Sequence, residues 1–151
     1  KKRKDGVLPI TDKKMTRFPI SLEKGVELVW HDFNDMKGGE IYVKKIPSMK
    51  VTDVALAVDD KAKQEEVGIR PGEKLHEQMI GPEDALYTYE YPGHFKILPS
   101  INEWSHDPER VGAGIKVDPE FMYCSDSNKE WMQISELKEW IEINRNKIGN
   151  I

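Results

Sequence analysis

The stretch from residue 67 to residue 77, which reads Val-Gly-Ile-Arg-Pro-Gly-Glu-Lys-Leu-His-Glu, places the strongest constraint on the fold. Its apolar start is typical of the end of a short strand. The Pro-Gly pair in its middle predicts a sharp turn, because proline disfavours helical geometry in the residue before it. Apolar residues then recur four apart, which predicts a helix that begins at Glu73 and stops at Gly81.

A strand followed by a sharp turn and a helix, as predicted here, forms a favourable binding site for an anion. Free backbone N–H groups at the start of a helix point at whatever lies above the turn. Arg70 and Lys74 add full positive charge beside them. The alternative is a surface turn in which Arg70 pairs with Glu73 or Glu77, and the local sequence leaves both interpretations open.

The chain has 151 residues, of which 38% are hydrophobic and 33% are charged, and this predicts one globular domain. The formal charge of -4 argues against a general nucleic-acid binder. We expect no membrane span, since no apolar run approaches roughly 18 residues. The single Cys124 suits a reducing, cytoplasmic setting. The chain begins Lys-Lys-Arg-Lys without Met, and we interpret it as a fragment.

Hydrophobic periodicity predicts an α/β fold. Ser21 is a good N-cap for a helix, and Val26, Val29, Trp30 and Phe33 follow at helical spacing, so we expect that face to be buried. A strand at 40–43 and a helix that begins at residue 51 continue the alternation of strands and helices. Short strands follow at 88–91 and 94–98, and a further stretch looks extended at 121–123.

The second half of the chain is less regular. The stretch 100–119 has no clear period and is predicted to be a long loop, a kind of loop that is often functional. Ser135 is predicted to cap a terminal helix that buries Leu137, Trp140, Ile141 and Ile148.

The sequence offers no evident catalytic centre. His76 and Glu77 begin like a zinc-protease motif, but Ile80 stands where the second histidine is needed. We expect the remaining histidines, which are His31, His94 and His106, to be isolated surface or packing residues. No phosphate-binding loop, Gly-rich dinucleotide motif or nucleophile elbow is present. Arg17 and Arg70 do lie beside short strands, where α/β folds place ligand sites.

Six segments of the chain together resemble one enzyme family. They are residues 8–12 (LPITD), 15–18 (MTRF), 38–41 (GGEI), 45–50 (KIPSMK), 68–77 (GIRPGEKLHE) and 123–128 (YCSDSN, followed by Trp131). These segments are similar to those of the inverting UDP-N-acetylglucosamine 4,6-dehydratases, which are extended short-chain dehydrogenases/reductases. The resemblance covers nearly the whole chain but only the C-terminal, substrate-binding part of such enzymes.

The resemblance implies what the full-length protein would do. A Rossmann domain that is absent from this chain would bind NADP and carry the catalytic Tyr-x-x-x-Lys pair, so residues 1–151 alone are expected to be inactive. The whole enzyme would make a UDP-4-keto-6-deoxy-hexosamine for nonulosonic acids of the pseudaminic or legionaminic type and for surface or flagellin glycans. The implied partners are a UDP-sugar and further copies of the enzyme, with no nucleic acid and no membrane.

The resemblance also implies a set of substrate-binding residues, namely Val7, Leu8, Thr11, Arg17, Arg70, Glu73, Asp126 and Asn128. The backbone of residues 7–11 would pair with the uracil edge. Arg17 and Arg70 would converge on the diphosphate, and the polar turn at 125–128 would reach the ribose or uridine. Pro19 departs from the aromatic residue expected after Arg-Phe. A related UDP-sugar epimerase, a retaining dehydratase and a non-catalytic interaction module are the alternatives.

Overall fold

The structure is a computed structural model, and it describes residues 6–148. The elements in chain order are β1 (Val7–Ile10), β2 (Thr16–Arg17), α1 (Leu22–Asp35), β3 (Ile41–Lys44), β4 (Met49–Lys50), α2 (Val51–Val58), β5 (Lys63–Glu66), β6 (Gln78–Ile80), α3 (Pro82–Ala85), β7 (Thr88–Glu90), β8 (His94–Ile97), a 3-10 helix (Ile101–His106), α4 (Pro108–Val111), β9 (Ile115–Lys116), β10 (Tyr123–Cys124) and α5 (Ile134–Ile148). Mixed strands and helices confirm the predicted α/β class.

The chain folds into two compact units. The first unit contains the described parts of Lys1–Pro19, Pro47–Glu77 and Ser125–Ile151. In it β1 pairs with β5 in parallel and β2 pairs with β4 antiparallel. Helix α2 packs against α5 and β1. The apolar side chains of Met15 and Leu137 are buried there, each with 2% of its surface exposed.

The second unit contains Ile20–Ile46 and Gln78–Cys124. Its antiparallel sheet has the strand order β3-β8-β7-β9, and β10 pairs with β6 beside it. The ring of Phe95 on β8 packs against that of Tyr123, with 5.1 Å between their centroids. The Tyr123 hydroxyl accepts a hydrogen bond from the N–H of Ile46 (2.7 Å) and donates one to its carbonyl (2.9 Å), which fixes the end of the chain segment that follows β3.

Helix α1 forms where it was predicted, but its apolar face is exposed. The Ser21 side chain caps it by accepting a hydrogen bond from the N–H of Lys24 at 3.3 Å. Trp30 and Phe33 are each 66% exposed, and Val26 and Val29 about half exposed. The prediction that this face is buried was therefore wrong: the helical period correctly identifies an apolar stripe, but the described chain supplies nothing that covers it.

The segment after β5 differs from its prediction. The strand ends at Glu66, before the strand end predicted at 67–69, and residues 73–77 form an irregular segment that leads into β6, so the helix predicted from Glu73 is not present. The four-residue spacing of Leu75 and Met79 indicated a helix, yet two apolar residues define a period poorly. The backbone of this segment instead bonds to β2 and to the turn after β10.

Two further predictions need correction. The stretch 100–119 is not one loop but contains the 3-10 helix, α4 and β9, which are too short to show a period. Helix α5 begins at Ile134, and the Glu136 carboxylate caps it by accepting from the N–H of Gln133 (2.6 Å), so Ser135 is not the cap. Leu137 is buried as predicted, whereas the side chain of Ile148 lies outside the described residues.

Two of the histidines predicted to be isolated, His31 and His94, are not isolated. Their rings lie 4.7 Å apart, and Tyr91 stacks on His94 at the same distance. The prediction of packing residues holds for His94, but it forms an aromatic cluster with His31; His106 is exposed, as a surface residue. Within the described residues, no helix is both long and apolar enough to cross a membrane.

Candidate functional site

The candidate site is built on a tight turn in the first unit. The N–H of Glu73 donates to the carbonyl of Arg70 at 3.0 Å, which closes a four-residue turn. Gly72 has a φ of +81°, a conformation that glycine adopts without strain. Proline at the second position and glycine at the third are what a type II turn requires. The predicted Pro-Gly turn is therefore confirmed, and it presents Arg70 at the surface.

Arg17 on β2 holds the segment that follows this turn. Its Nη1 donates to the carbonyls of Thr16 (2.7 Å) and Leu75 (3.1 Å), and its Nη2 donates to the carbonyl of Lys74 at 2.9 Å. The same guanidinium faces two carboxylates, with Glu73 Oε1 3.5 Å from Nη2 and Glu77 Oε1 3.7 Å from Nε. The Arg17 side chain is only 21% exposed, so these contacts are partly shielded from water.

A second set of hydrogen bonds ties the same segment to the turn after β10. The hydroxyl oxygen of Thr16 lies 2.8 Å from His76 Nδ1 and 2.6 Å from the hydroxyl oxygen of Ser125. Ser125 is fully buried, and its hydroxyl accepts from the N–H of Glu77 at 2.9 Å. The Glu77 carboxylate in turn accepts from the N–H of Phe18 at 2.8 Å. Three separate sequence segments therefore meet in one polar cluster.

The direction of the hydrogen bonds follows from satisfying each buried hydroxyl. The buried Ser125 hydroxyl needs an acceptor for its own proton, and the Thr16 oxygen is within reach at 2.6 Å. The same Thr16 oxygen lies 2.8 Å from His76 Nδ1, and if Thr16 donates there the ring proton lies on Nε2. That nitrogen lies 3.9 Å from a carboxylate oxygen of Asp126. The arrangement orients His76 with its Nδ1 inward.

Arg70 contrasts with Arg17. It is exposed, and its side chain makes no hydrogen bond or ion pair with any residue that the structure describes. Only its backbone is engaged, because its N–H donates to Glu73 Oε2 at 3.3 Å. The Glu73 carboxylate thus lies between the Arg70 backbone and the Arg17 guanidinium. The surface ion pair that was the alternative for the Arg70 side chain is not formed.

Strand β1 has one edge that pairs with no other strand among the described residues. The carbonyl of Gly6 accepts from the N–H of Lys63 on β5 (2.8 Å), and the carbonyl of Ile10 accepts from the N–H of Val67 just after β5 (2.9 Å). Because the backbone groups of successive residues in a strand point to alternate sides, Leu8 also turns its N–H and carbonyl toward β5. Of the predicted uracil-pairing run, Val7 therefore turns its backbone groups to the unpaired edge, and Thr11 lies in the bend that follows the strand.

The two predicted residues of the polar turn differ in their surroundings. Asp126 lies beside His76 and so belongs to the polar cluster. The Asn128 side chain bonds to the backbone of Glu130, and its carbonyl accepts from the Trp131 indole at 2.8 Å. Sequence reasoning missed Thr16, His76 and Ser125 as members of the cluster. Each lies within or directly beside a segment that carried the family resemblance, which was the signal available.

No group of three or more His, Cys, Asp or Glu side chains in the described part of the chain is arranged to hold a metal ion. The polar cluster offers hydroxyl groups, an imidazole and carboxylates, and the turn beside it presents the exposed guanidinium of Arg70. Such groups suit a polar ligand that has anionic and hydroxyl groups.

Comparison with known proteins shows close relatives. The chain is 48% identical over 139 residues to the UDP-N-acetylglucosamine 4,6-dehydratase (inverting) of Campylobacter jejuni subsp. jejuni serotype O:2, covering 89% of this chain and 42% of that protein. It is 34% identical to a UDP-glucose 4-epimerase of Rickettsia akari over 60% of this chain and 28% of that one. The chain thus spans less than half the length of these relatives.

A solved structure has the same fold. The X-ray structure of Pen from Bacillus thuringiensis matches 95% of this chain and 43% of its own chain, with a TM-score of 0.77 and 22% sequence identity. A family model described as "Polysaccharide biosynthesis protein" matches residues 1–99, which is more than half of the 151 residues. The chain therefore belongs to the polysaccharide biosynthesis protein family.

Proposed function

We propose that this chain is the substrate-binding part of a UDP-N-acetylglucosamine 4,6-dehydratase that inverts the sugar at C5. The observation that carries the proposal is the exposed guanidinium of Arg70, which pairs with no described residue and lies on a turn that Arg17 and the polar cluster hold in place. The dehydratase of Campylobacter jejuni, at 48% identity, supports the assignment of substrate class. The match to a UDP-glucose 4-epimerase supports a UDP-sugar ligand in particular.

The residues suggest how a UDP-sugar would lie. Arg70 would bind the diphosphate, since a guanidinium makes two parallel hydrogen bonds to phosphate oxygens. Glu73 would accept from a ribose hydroxyl, because its carboxylate is an acceptor and repels phosphate. Val7 and Thr11 would offer backbone groups to the uracil edge, as Leu8 faces β5. In this proposal Asp126 and Asn128 border the site through the polar turn.

The reaction would depend on residues outside this chain. NADP, when bound, would supply hydride exchange at the sugar ring. The described chain has no Gly-rich strand-to-helix turn; β4 runs directly into α2 at Lys50 and Val51. In this proposal the described residues bind and orient the UDP-sugar, and NADP is held elsewhere in the full-length protein. The product would be a UDP-4-keto-6-deoxy-hexosamine, a precursor for nonulosonic acids and surface glycans.

The test is to incubate the full-length protein that contains this chain with UDP-N-acetylglucosamine and to follow the products by mass spectrometry. Loss of one water from the nucleotide sugar, with inversion at C5 shown by NMR, is the expected result. Interconversion of epimers without loss of mass would instead support the epimerase alternative. The isolated chain of 151 residues should yield no product with added NADP.

A further inference from the structure

We infer that the apolar outer face of α1 is a docking surface for the part of the full-length protein that lies outside this chain. The outer face consists of the exposed side chains Leu22, Val26, Val29, Trp30, Phe33 and Met36, the last of which caps the C-terminus of the helix. The inference rests on the proposed function in one respect only, which is that this chain is one part of a longer protein.

Helix α1 contacts the sheet of the second unit through its polar side. The Asp35 carboxylate accepts a hydrogen bond from the Tyr42 hydroxyl on β3 (2.7 Å) and pairs with the Lys96 ammonium on β8 (2.5 Å). The His31 ring lies against that of His94 on β8, with 4.7 Å between their centroids. Charged and aromatic polar groups therefore attach the helix to these two strands.

The apolar side of α1 points away from that sheet. Because an α-helix turns by about 100° per residue, side chains three or four residues apart form one stripe, and the outer face lies opposite His31 and Asp35. Its two aromatic rings, of Trp30 and Phe33, are 6.3 Å apart and each 66% exposed. In a helix at the surface of a globular domain the apolar stripe normally faces the core and the charges face water. Helix α1 shows the reverse, and none of its residues is buried.

An exposed stripe of this kind is typical of an interface. Contiguous apolar surface on a folded protein marks a site where another surface packs. Tryptophan side chains often contribute much of the binding energy of such sites, since they bury a large apolar area with few rotatable bonds. The polar contacts of Asp35 fix the helix from behind, so Trp30 and Phe33 are presented on a rigid element. The outer face therefore suits an apolar partner surface.

The size of the outer face favours a partner in the same polypeptide. A stable complex between separate molecules takes about 800 Å² and about 20–30 residues from each partner, whereas the outer face has six side chains. A covalently linked partner needs less area, because the linkage keeps it at an effective concentration on the order of millimolar. The relatives contain such additional chain, since this chain covers 42% of the Campylobacter jejuni dehydratase and 43% of the Pen chain.

The test measures how accessible the outer face is in the full-length protein that contains this chain. Phe33→Cys is treated with iodoacetamide, and the rate of labelling at position 33 is read from its peptide by mass spectrometry. Glu142→Cys on α5 is the matched control, because the Glu142 side chain is 67% exposed and makes only a surface ion pair. Hydroxyl-radical oxidation of Trp30 in the unsubstituted protein, compared with the protein unfolded in urea, needs no substitution and decides the result if Phe33→Cys does not fold.

Cysteine at position 33 should be labelled on the order of a hundredfold more slowly than cysteine at position 142, because the reagent must wait for a local opening. Trp30 should be oxidised much more slowly than in the urea-unfolded protein. Both protections should remain when the protein is diluted about a hundredfold, since a contact within one polypeptide does not depend on its concentration.

Two results would overturn the inference. One is labelling at position 33 as fast as at position 142, with Trp30 oxidised as fast as in urea, because the face would then be open to solvent. The other is protection that disappears on dilution, which would assign the face to a second copy of the protein. Either result together with loss of water from UDP-N-acetylglucosamine would leave the proposed function intact, whereas lasting protection without that product would overturn the proposed function alone.

Discussion

The hydroxyl oxygens of Thr16 and Ser125 lie 2.6 Å apart, although 109 residues separate them in the chain. Both side chains are buried, so the contact is shielded from competing water. It joins the segment that carries Arg17 to the polar turn that carries Asp126. The same Ser125 hydroxyl accepts from the N–H of Glu77 at 2.9 Å, which adds the segment after Arg70. One buried hydroxyl pair thereby brings three distant segments to the candidate site.

The exposed face of α1 leads to the first prediction. Trp30→Ala in this chain should change the free energy of unfolding by about 0.5 kcal/mol or less, since the side chain is 66% exposed. Leu137→Ala should cost about 2–5 kcal/mol, because Leu137 is buried in the first unit. Chemical denaturation of both variants gives the comparison. A cost for Trp30→Ala as large as that for Leu137→Ala would show that the helix face is covered.

A buried ion pair in the second unit leads to the second prediction. The side chains of Arg110 and Glu40 are 9% and 2% exposed and are bonded to each other. Glu40→Ala removes the buried carboxylate and leaves the guanidinium beside the more exposed Asp107 carboxylate, 3.5 Å away, so it should cost about 3 kcal/mol of unfolding free energy. Glu109→Ala is the matched control: its ion pair with Lys37 lies at the surface and should contribute about 1 kcal/mol or less. If urea titrations show that Glu40→Ala and Glu109→Ala lower the unfolding free energy equally, the pair of Arg110 and Glu40 does not act as a buried ion pair.

The histidine cluster leads to the third prediction. Burial first, and then the neighbouring charges of His31 and Lys96, lower the pKa of His94 from 6.5 to about 4. The unfolded chain therefore binds more protons than the folded one between these values, so stability should fall as the pH is lowered from 6.5 to about 4. Asp35 lies beside Lys96 in the same cluster, and its negative charge raises the pKa of His94 and so offsets part of the lowering. Solvent screening reduces the size of the loss.

His94→Phe removes the titration and keeps a ring for Tyr91 to stack on. This variant should lose less stability than the unsubstituted chain over the same pH range, as measured by denaturation at a series of pH values. His106→Gln, which replaces an exposed histidine outside the cluster, is the matched control for the substitution. A profile for His94→Phe that matches the unsubstituted chain would show that His94 does not titrate in this range.

The sequence predicted those features that depend on local chemistry. The Pro71-Gly72 turn, the cap at Ser21 and the helix after residue 51 all form, because each rests on the geometry of a few neighbouring residues. The helix predicted from Glu73 does not form. Its backbone bonds instead to Thr16 and Ser125, partners that lie too far along the chain for any local pattern to reveal.

In the candidate site, too, the residues with local signals were predicted and the contacts between distant residues were not. The resemblance named Arg17 and Arg70 together, but sequence gives no means of telling a guanidinium that bonds to three carbonyls from one that bonds to none. The members of the polar cluster that were missed, such as His76, are satisfied by contacts across 48 residues or more. The alternation of backbone direction along β1 likewise separates Val7 from Leu8 only after the pairing with β5 is known.

The central claim is that Arg70 binds the diphosphate of a UDP-sugar. Calorimetric titration of UDP into the full-length protein that contains this chain tests it most directly, with Arg70→Ala compared to the unsubstituted protein. A charge-assisted contact of about 1.5–3 kcal/mol predicts that Arg70→Ala weakens UDP binding about ten- to a hundredfold, with partial recovery in Arg70→Lys. NADP binding should not change. Equal UDP affinity in the two proteins would contradict the claim and make Arg70 an ordinary surface residue.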